Sequence, residues 1–385
     1  MAGHAFLAPS SAHVWGKPGG CRAAPMLQAL HPDREESDAA REGTAAHEVA
    51  ATAVDHALRA LSMPDGLEGQ VAGNGVLITR EMLDAVDVYA SDIRQEAIAR
   101  GVFGGEAIGV EQRLLSDRIH PQNGGTPDFF MHDARNRAVI IWDFKYGFDV
   151  VEAFENWQLM NYAALVLDHL GIDGNAEQWY TVVLKIVQPR AFKSGGPVDT
   201  WTVKATDLRP FWNDMHQGAV ESMAPDAPAR PASHCLNCSA RHSCMALRVA
   251  AGRVMDFARG CTAENLDNTA MSIELHWLQR GADLIEARRS GLEAEALHRV
   301  QSGDVVPGWA PKPRYGRRTW KNPDEVLGMG PAFGVDLRKN EPVSPSQAKA
   351  AGIPEEVVEN FTYRPEGGFK LAPVKSNEAR KVFTR

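Results

Sequence analysis

The chain has 385 residues, 44% apolar and 23% charged, the composition of a globular protein with room for one large domain or two smaller ones. Lysine and arginine number 41 against 49 acidic residues, a net charge of −8, which excludes a protein that coats nucleic acid by charge alone but not an enzyme with a local basic track. No run of about 18 apolar residues is present, so no membrane span is expected, and the first residues lack the basic start and apolar stretch of a signal peptide. The expected compartment is the cytoplasm, where an odd count of cysteines argues against a disulfide framework.

Residues 1–30 are rich in Gly, Pro and Ala and show no periodic element; Cys21 follows Trp15 and a Gly/Pro turn. A helix is predicted from Ser37 to Leu61, with Ala50, Ala51, Val54, Leu58 and Leu61 on its apolar face and His47 on the same face. A Gly-rich connector covers 62–80. A second amphipathic helix runs from Arg80 to Arg100 with Leu83, Val86, Tyr89, Ile93 and Ala97 inward.

Residues 108–115 read as a strand that contains Glu111. After Gly124-Gly125, the run Pro127-Asp128-Phe129-Phe130-Met131, a polar turn at Asp133–Asn136 and the run Ala138–Tyr146 read as a β-hairpin. Strand alternation places Ile141, Asp143 and Lys145 on one face. Such an acid–base pair could be a structural ion pair, although burying one is a poor source of stability. Asp128 can approach from the partner strand, and two crowded carboxylates call for protonation or a bridging cation. Mg²⁺ and Mn²⁺ prefer such oxygen donors. A helix is predicted from Val151 to Leu170, with Phe154, Gln158 and Tyr162 on one stripe. These polar groups either dock the helix or face the site. Strands follow at Trp179–Val187 and Thr200–Lys204, then a helix over 205–225.

A Pro/Ala-rich linker leads to Cys235-x2-Cys238-x5-Cys244, whose clustering points to a metal or a cluster. Two helical stretches, Met245–Phe257 and Ala263–Ser302, come next. After Gly303, Pro and Gly become frequent and periodicity fades. Within this tail, Lys312, Arg314, Tyr315, Arg317, Arg318, Trp320 and Lys321 interleave bases with aromatics, as suits single-stranded nucleic acid, or form a solvated basic loop.

His47 in GTAAHE, Glu111 in VEQRL, Asp128 in GGTPD, Asp143 and Lys145 in DFK, and Gln158-x-x-x-Tyr162 occur in an order that resembles the PD-(D/E)XK nuclease superfamily and its RecB-like exonuclease branch. Each motif alone occurs by chance in many proteins; the order, over residues 38–190, carries the resemblance. Cys21 with Cys235, Cys238 and Cys244 resembles the iron–sulfur staple of AddB-type and CRISPR-adaptation exonucleases. The opening PSSAHVW, Gln188-Pro189-Arg190 and Pro307-Gly308-Trp309 are similar to a phage-type branch, although Gly16–Gly20 lengthen the path from Trp15 to Cys21.

The resemblance implies an α/β fold with a restriction-endonuclease-like core, a central mixed sheet flanked by helices, with helical additions and a [4Fe-4S] staple. It divides the chain into an N-terminal segment (1–36), a nuclease core (37–205), a helical segment with the cysteines (206–302) and a C-terminal tail (303–385). The implied activity is hydrolysis of DNA from its ends, in recombination, repair or phage DNA processing, with 5′→3′ polarity as the expectation. Asp128, Asp143, His47 and the Phe144 carbonyl would bind Mg²⁺ or Mn²⁺, Lys145 would act on water or phosphate, Gln158 and Tyr162 would position the strand, and Glu111 would contribute to a second metal or to water. Zinc is the rival for the cysteine site, with His234, His242 or Cys261 as substitute ligands. No G-x-x-x-x-G-K-[ST] is present, so a helicase, recombinase or single-strand-binding protein would be a separate partner. The alternative reading is a non-catalytic DNA-end-binding module; a third is a redox sensor switched by the cluster.

Overall fold

The computed structural model describes residues 5–33, 36–59, 66–191, 195–260, 267–315, 319–335, 337–339, 341–342, 345, 348, 353–363 and 366–373. Two compact units make up the chain, Met1–Ala287 and Arg288–Arg385.

The first unit begins with short helices α1 (Ala12–Trp15) and α2 (Ala24–Leu30) where no periodic element was expected. Pro9 opens the 3-10 turn Pro9–Ser11 that leads into α1, and Pro25 lies in the first turn of α2, where proline presets the backbone and has no amide to leave unpaired. Helix α3 (Asp38–Leu58) is capped by Ser37, whose hydroxyl accepts from the Ala40 amide at 3.1 Å. Its buried face is Ala45, Ala46, Val49, Ala50, Ala53 and Val54; Leu61, expected on that face, lies outside the described residues. Helix α4 (Arg80–Arg100) starts at a Thr79 cap and ends at Gly101, whose φ of 70° is the left-handed stop that glycine adopts without strain. It packs its Met82, Val86, Tyr89, Ile93 and Ala97 stripe against α3 and the sheet.

The strands are β1 (Ile108–Val110), the short pair β2 (Leu114–Leu115) and β3 (Gly124–Gly125), β4 (Phe129–Asp133) and β5 (Ala138–Phe144). Helix α5 (Trp157–His169) and the turn α6 (Gly174–Glu177) lead to β6 (Thr181–Val187) and β7 (Val198–Lys204). The main sheet has the order β1-β4-β5-β6-β7. The hairpin β4/β5 is antiparallel, as the turn residues foretold, and β5 pairs β6 in parallel, with α5 making the crossover such a pairing needs. Strand β5 is buried throughout. Val139 and Ile141 face α5, and Ile140, Trp142 and Phe144 face α3 and α4. The result is the expected α/β core, a mixed five-stranded sheet flanked by helices on both faces.

Lys145 lies one residue past β5, although its amide still bonds the Val187 carbonyl at 2.9 Å. Helix α5 begins at Trp157, not at Val151. Asn156 accepts from the amides of Gln158 and Leu159 and so caps the helix there, and Glu155 has φ 48°, outside the helical region. Phe154, expected on the helix stripe, stands before it with its ring against Trp201.

Helices α7 (Arg209–Ser222), α8 (Met245–Gly260) and α9 (Asn268–Gln301) follow. The region after Gly303, where periodicity fades in the sequence, holds β8 (Trp309–Tyr315), β9 (Thr319–Trp320), α10 (Pro323–Met329), β10 (Arg338–Lys339), β11 (Glu341–Pro342), the helix Glu355–Phe361, β12 (Thr362–Tyr363) and β13 (Glu366–Pro373). Strand β13 pairs β8, and Val326, Leu337, Ala348, Ile353 and Val358 form a small core. These elements are too short to show a period in the sequence.

Lys185, on β6, is 6% exposed and meets Asp92 and Glu96 of α4, each at 2.9 Å, while Asp92 also accepts from the Trp142 indole at 2.7 Å. Lys185→Ala would leave two carboxylates facing an apolar sheet and is expected to cost about 3 kcal/mol. Urea unfolding of the variant checks it; an unchanged midpoint would show that the pair contributes nothing.

Candidate metal centre

The carboxyl ends of β1 and β5, the start of β4 and the middle of α3 meet at one end of the sheet. Asp128 stands immediately before β4, and its Oδ2 accepts from the Phe144 amide at 2.6 Å, so the two strands of the hairpin share a carboxylate at their open end. His47 reaches down from α3, with Nδ1 3.4 Å from Asp128 Oδ1 and 3.6 Å from Glu111 Oε1. One donor atom from each of His47, Glu111 and Asp128 lies within 4.8 Å of the others. Glu111 holds a left-handed backbone, φ 45°, while its amide donates to the Asp128 carbonyl at 3.0 Å. A non-glycine residue in that region costs about 1 kcal/mol, a strain that turns this carboxylate into the cluster.

Asp143 is 1% exposed and sits on the α5 side. Its Oδ1 accepts from Gln158 Nε2 at 2.9 Å, and its Oδ2 lies 2.8 Å from the Lys145 ammonium. Lys145 in turn donates to Gln158 Oε1 at 3.1 Å, and Gln158 donates to the Tyr162 hydroxyl at 3.1 Å. Lys145, Asp143, Gln158 and Tyr162 thus form one polar chain beside the His47 group. Gly125 lets that chain close: a Cβ there would come 3.1 Å from the Tyr162 ring and 2.5 Å from Pro9. Gly124 and Gly125 form strand β3, and a Cβ on Gly124 would come 2.5 Å from the Leu115 side chain.

The electrostatics follow from burying this many charges together. Burial works against a charged imidazole, but Asp128 and then Glu111 push His47 up to about 10. Burial works against the Asp128 carboxylate too, yet His47 and Lys145 hold it below its usual range. Burial and the neighbouring Asp128 carry Asp143 above the carboxylate norm despite Lys145, and burial raises Glu111. The ammonium of Lys145, disfavoured by burial, is stabilised by Asp143 and Asp128 and titrates above its usual value.

Not every expected ligand joins the tight group. Glu111, expected as a secondary contributor, stands within it, whereas Asp143 turns to Lys145 and Gln158, and Phe144 meets Asp128 through its amide. Tyr89 was read only as a core residue. Its ring lies 5.0 Å from that of Phe144, its buried hydroxyl has no hydrogen-bond partner, and burial followed by the Asp128, Glu111 and Asp143 charges raises its pKa well above the usual value. An aromatic on an apolar helix stripe carries no signal in the sequence that would separate it from core. The donor set suits a hard divalent ion: crowded carboxylates with an imidazole, one of them strained into place.

Cys21, Cys235, Cys238 and Cys244 line one cavity of about 210 Å³, with Ser10, His13 and His234. Cys21 Sγ accepts from the Arg230 amide at 3.4 Å. Among the described residues, no three cysteine sulfurs lie within 4.8 Å of one another. Burial raises the thiol pKa values of Cys21 and Cys238 and carries Cys235 up to about 11, with the nearby thiols adding to it. His234 borders the cavity. His242 does not: its ring lies against His31 and its Nδ1 is 3.1 Å from the Ser239 carbonyl. Cys261 lies outside the described residues.

In the second unit, Lys312 of β8 faces Lys370 in register, and Lys321 donates to the Asn360 carbonyl at 3.1 Å. Trp320 is half-buried and packs on the small core. Only the backbone of Arg314 and Tyr315 is described, and Arg317 and Arg318 lie outside the described residues. Among the described residues no helix is long and apolar enough to cross a membrane.

A family model described as "Protein of unknown function (DUF2800)" matches residues 4–379. A solved structure of a protein described as a "Putative exonuclease" from Eubacterium rectale is 10% identical, over 57% of this chain and 80% of that one, with a TM-score of 0.32. A likeness at that level carries no argument.

His47 must lose its proton to bind a metal, so metal uptake at neutral pH is expected to release a proton and to strengthen as pH rises toward 10. Calorimetric titration of Mn²⁺ in buffers of different ionisation enthalpy measures the release; an enthalpy independent of buffer would show that His47 is not a ligand.

Proposed function

The chain belongs to the DUF2800 family, and we propose that it is a metal-dependent DNA exonuclease of the PD-(D/E)XK type, from the RecB-like branch with an AddB-type iron–sulfur staple. The observation that carries this reading is the convergence of His47, Glu111 and Asp128 beside the Lys145–Asp143–Gln158–Tyr162 chain. Neither half explains itself as structure, since several buried charges gathered at a sheet end weaken a fold unless something uses them.

His47, Asp128 and Glu111 would hold Mg²⁺ or Mn²⁺, with Asp143 on the inner side. A cation held there would polarise the scissile phosphate and lower the pKa of a bound water. Lys145, fixed by Asp143 and Gln158, is positioned to meet the charge that builds on the phosphate oxygens. Gln158 orients both Lys145 and Asp143, and Tyr162 anchors Gln158 from the next helical turn. The substrate is DNA with free ends; processing in recombination, repair or phage DNA metabolism suits such an activity, with any helicase or single-strand-binding protein as a separate chain.

The four cysteines would hold a [4Fe-4S] cluster as thiolates. The raised pKa values of Cys21, Cys235 and Cys238 mean that these three thiols are protonated when nothing is bound, so loading releases protons.

Asp143→Ala and Lys145→Ala are each expected to lower Mn²⁺-dependent release of nucleotides from end-labelled DNA by at least about a hundredfold, and EDTA to abolish it. Degradation that survives either substitution would refute the assignment. Protein purified without oxygen is expected to be brown, with broad visible absorbance that Cys21→Ser removes; colourless protein with stoichiometric zinc would refute the cluster.

A further inference from the structure

The loop between β5 and α5 carries a side-chain stack that the proposed chemistry leaves unused. Tyr146 is buried, and the Arg190 guanidinium lies over its ring at 4.2 Å from the centroid. The same guanidinium lies 4.1 Å from the centroid of Phe148. Arg190 is held by Glu81 at 2.8 Å, Glu42 at 3.1 Å and the Tyr146 carbonyl at 3.3 Å. One side of the Phe148 ring is therefore occupied by a fixed cation, and the residue is still 64% exposed. The order Tyr146–Arg190–Phe148 ends in an open aromatic face.

That face is held in place from below. Gln188, 1% exposed at the end of β6, donates to the Gly147 carbonyl at 2.9 Å and the Asp149 carbonyl at 2.7 Å, the residues on either side of Phe148. Its side-chain oxygen accepts from the Val151 amide at 3.0 Å, and Asp199 accepts from the Ala153 amide at 2.8 Å. A loop built this way presents Phe148 outward in one orientation, where an apolar ring would otherwise gain by folding in.

Phe148 is three residues from Lys145, so their Cα atoms are at most about 11 Å apart. A strand whose phosphate meets Lys145, with successive bases about 3.4 Å apart, brings neighbouring bases within that reach. We propose that the open face of Phe148 is a stacking platform for one nucleobase of the single-stranded DNA engaged at the metal centre. The inference rests on the nuclease reading above and adds the substrate class, an unpaired strand or frayed end. A base stacked in a duplex has no free face to offer, and stacking tolerates any base, so the platform selects single strands without selecting sequence. The Arg190 cation behind the ring strengthens the stack from the covered side.

The test is an abasic scan. A set of end-labelled single strands, each with one abasic residue at a different position, is bound to the full chain in Ca²⁺ and followed by fluorescence anisotropy. Wild-type protein is expected to lose roughly tenfold in affinity when one particular position is abasic. Phe148→Ala is expected to bind the intact strand roughly tenfold more weakly and to be indifferent to that position, and Phe148→Trp to restore both. Thermal melting checks that the variants fold, as expected for an exposed site. Equal affinity of Phe148→Ala and wild type for the intact strand, a positional penalty that persists in Phe148→Ala, or no binding of any strand would each overturn the platform. A positional penalty without metal-dependent cleavage by wild-type protein would overturn the nuclease reading and leave the platform standing.

Discussion

The bond from the Phe144 amide to Asp128 Oδ2 is the point on which the centre depends. It closes the open end of the β4/β5 hairpin and sets Asp128 opposite the strand that carries Asp143. Strand register is strict here because β5 is buried on both faces, and a one-residue slip would exchange the Ile141 face for the Trp142 face. The parallel β5/β6 pairing then orients the exit of β5, and α5 returns across the same face with Gln158 and Tyr162. The positions of Asp128, Asp143, Lys145 and Gln158 are thus consequences of one hairpin register and one crossover.

Carboxylates gathered this way repel, and the fold answers with cations. His47 balances Asp128 and Glu111; Lys145 balances Asp143. The arrangement is unstable to the loss of any one charge, a property expected of a site built to exchange protons for metal and weakly useful for stability. Glu111 adds a strained backbone to that cost. Under α4, Lys185 with Asp92 and Glu96 is a second buried ionic group whose partners are complete, and it serves as the comparison: every charge there is paired.

The N-terminal segment does not depend on the cysteines alone for its place. Arg22, 5% exposed, donates to the carbonyls of Trp15 and Lys17 and to Glu221 of α7, while its amide bonds the Pro228 carbonyl. Gly20 permits the tight path from Trp15 to Cys21, since a Cβ there would come 2.1 Å from the Val14 carbonyl. The longer spacing between Trp15 and Cys21 is absorbed by this turn, and Cys21 still borders the same cavity as the three later cysteines.

By itself the sequence determined the elements whose signals are local: the hairpin around Asp133–Asn136, the two amphipathic helices, and the alternation that puts Asp143 and Lys145 together. Those follow from turn chemistry and from periods of 2 and 3.6, which neighbouring residues carry. The order of the motifs also pointed to one site before any contact was known. Only the tertiary structure decided the rest. Asn156 and the Gln188 clamp, acting from outside the Val151–Tyr162 pattern, moved the start of α5 and left Phe148 and Phe154 at the surface. The left-handed turn at Glu111 brought its carboxylate to His47, while Asp143 turned to Lys145 and Gln158. The approach of Tyr89 to the Asp128 group is a long-range packing result that no local pattern carries, whereas the grouping of Cys21 with the three later cysteines was already implied by the family resemblance.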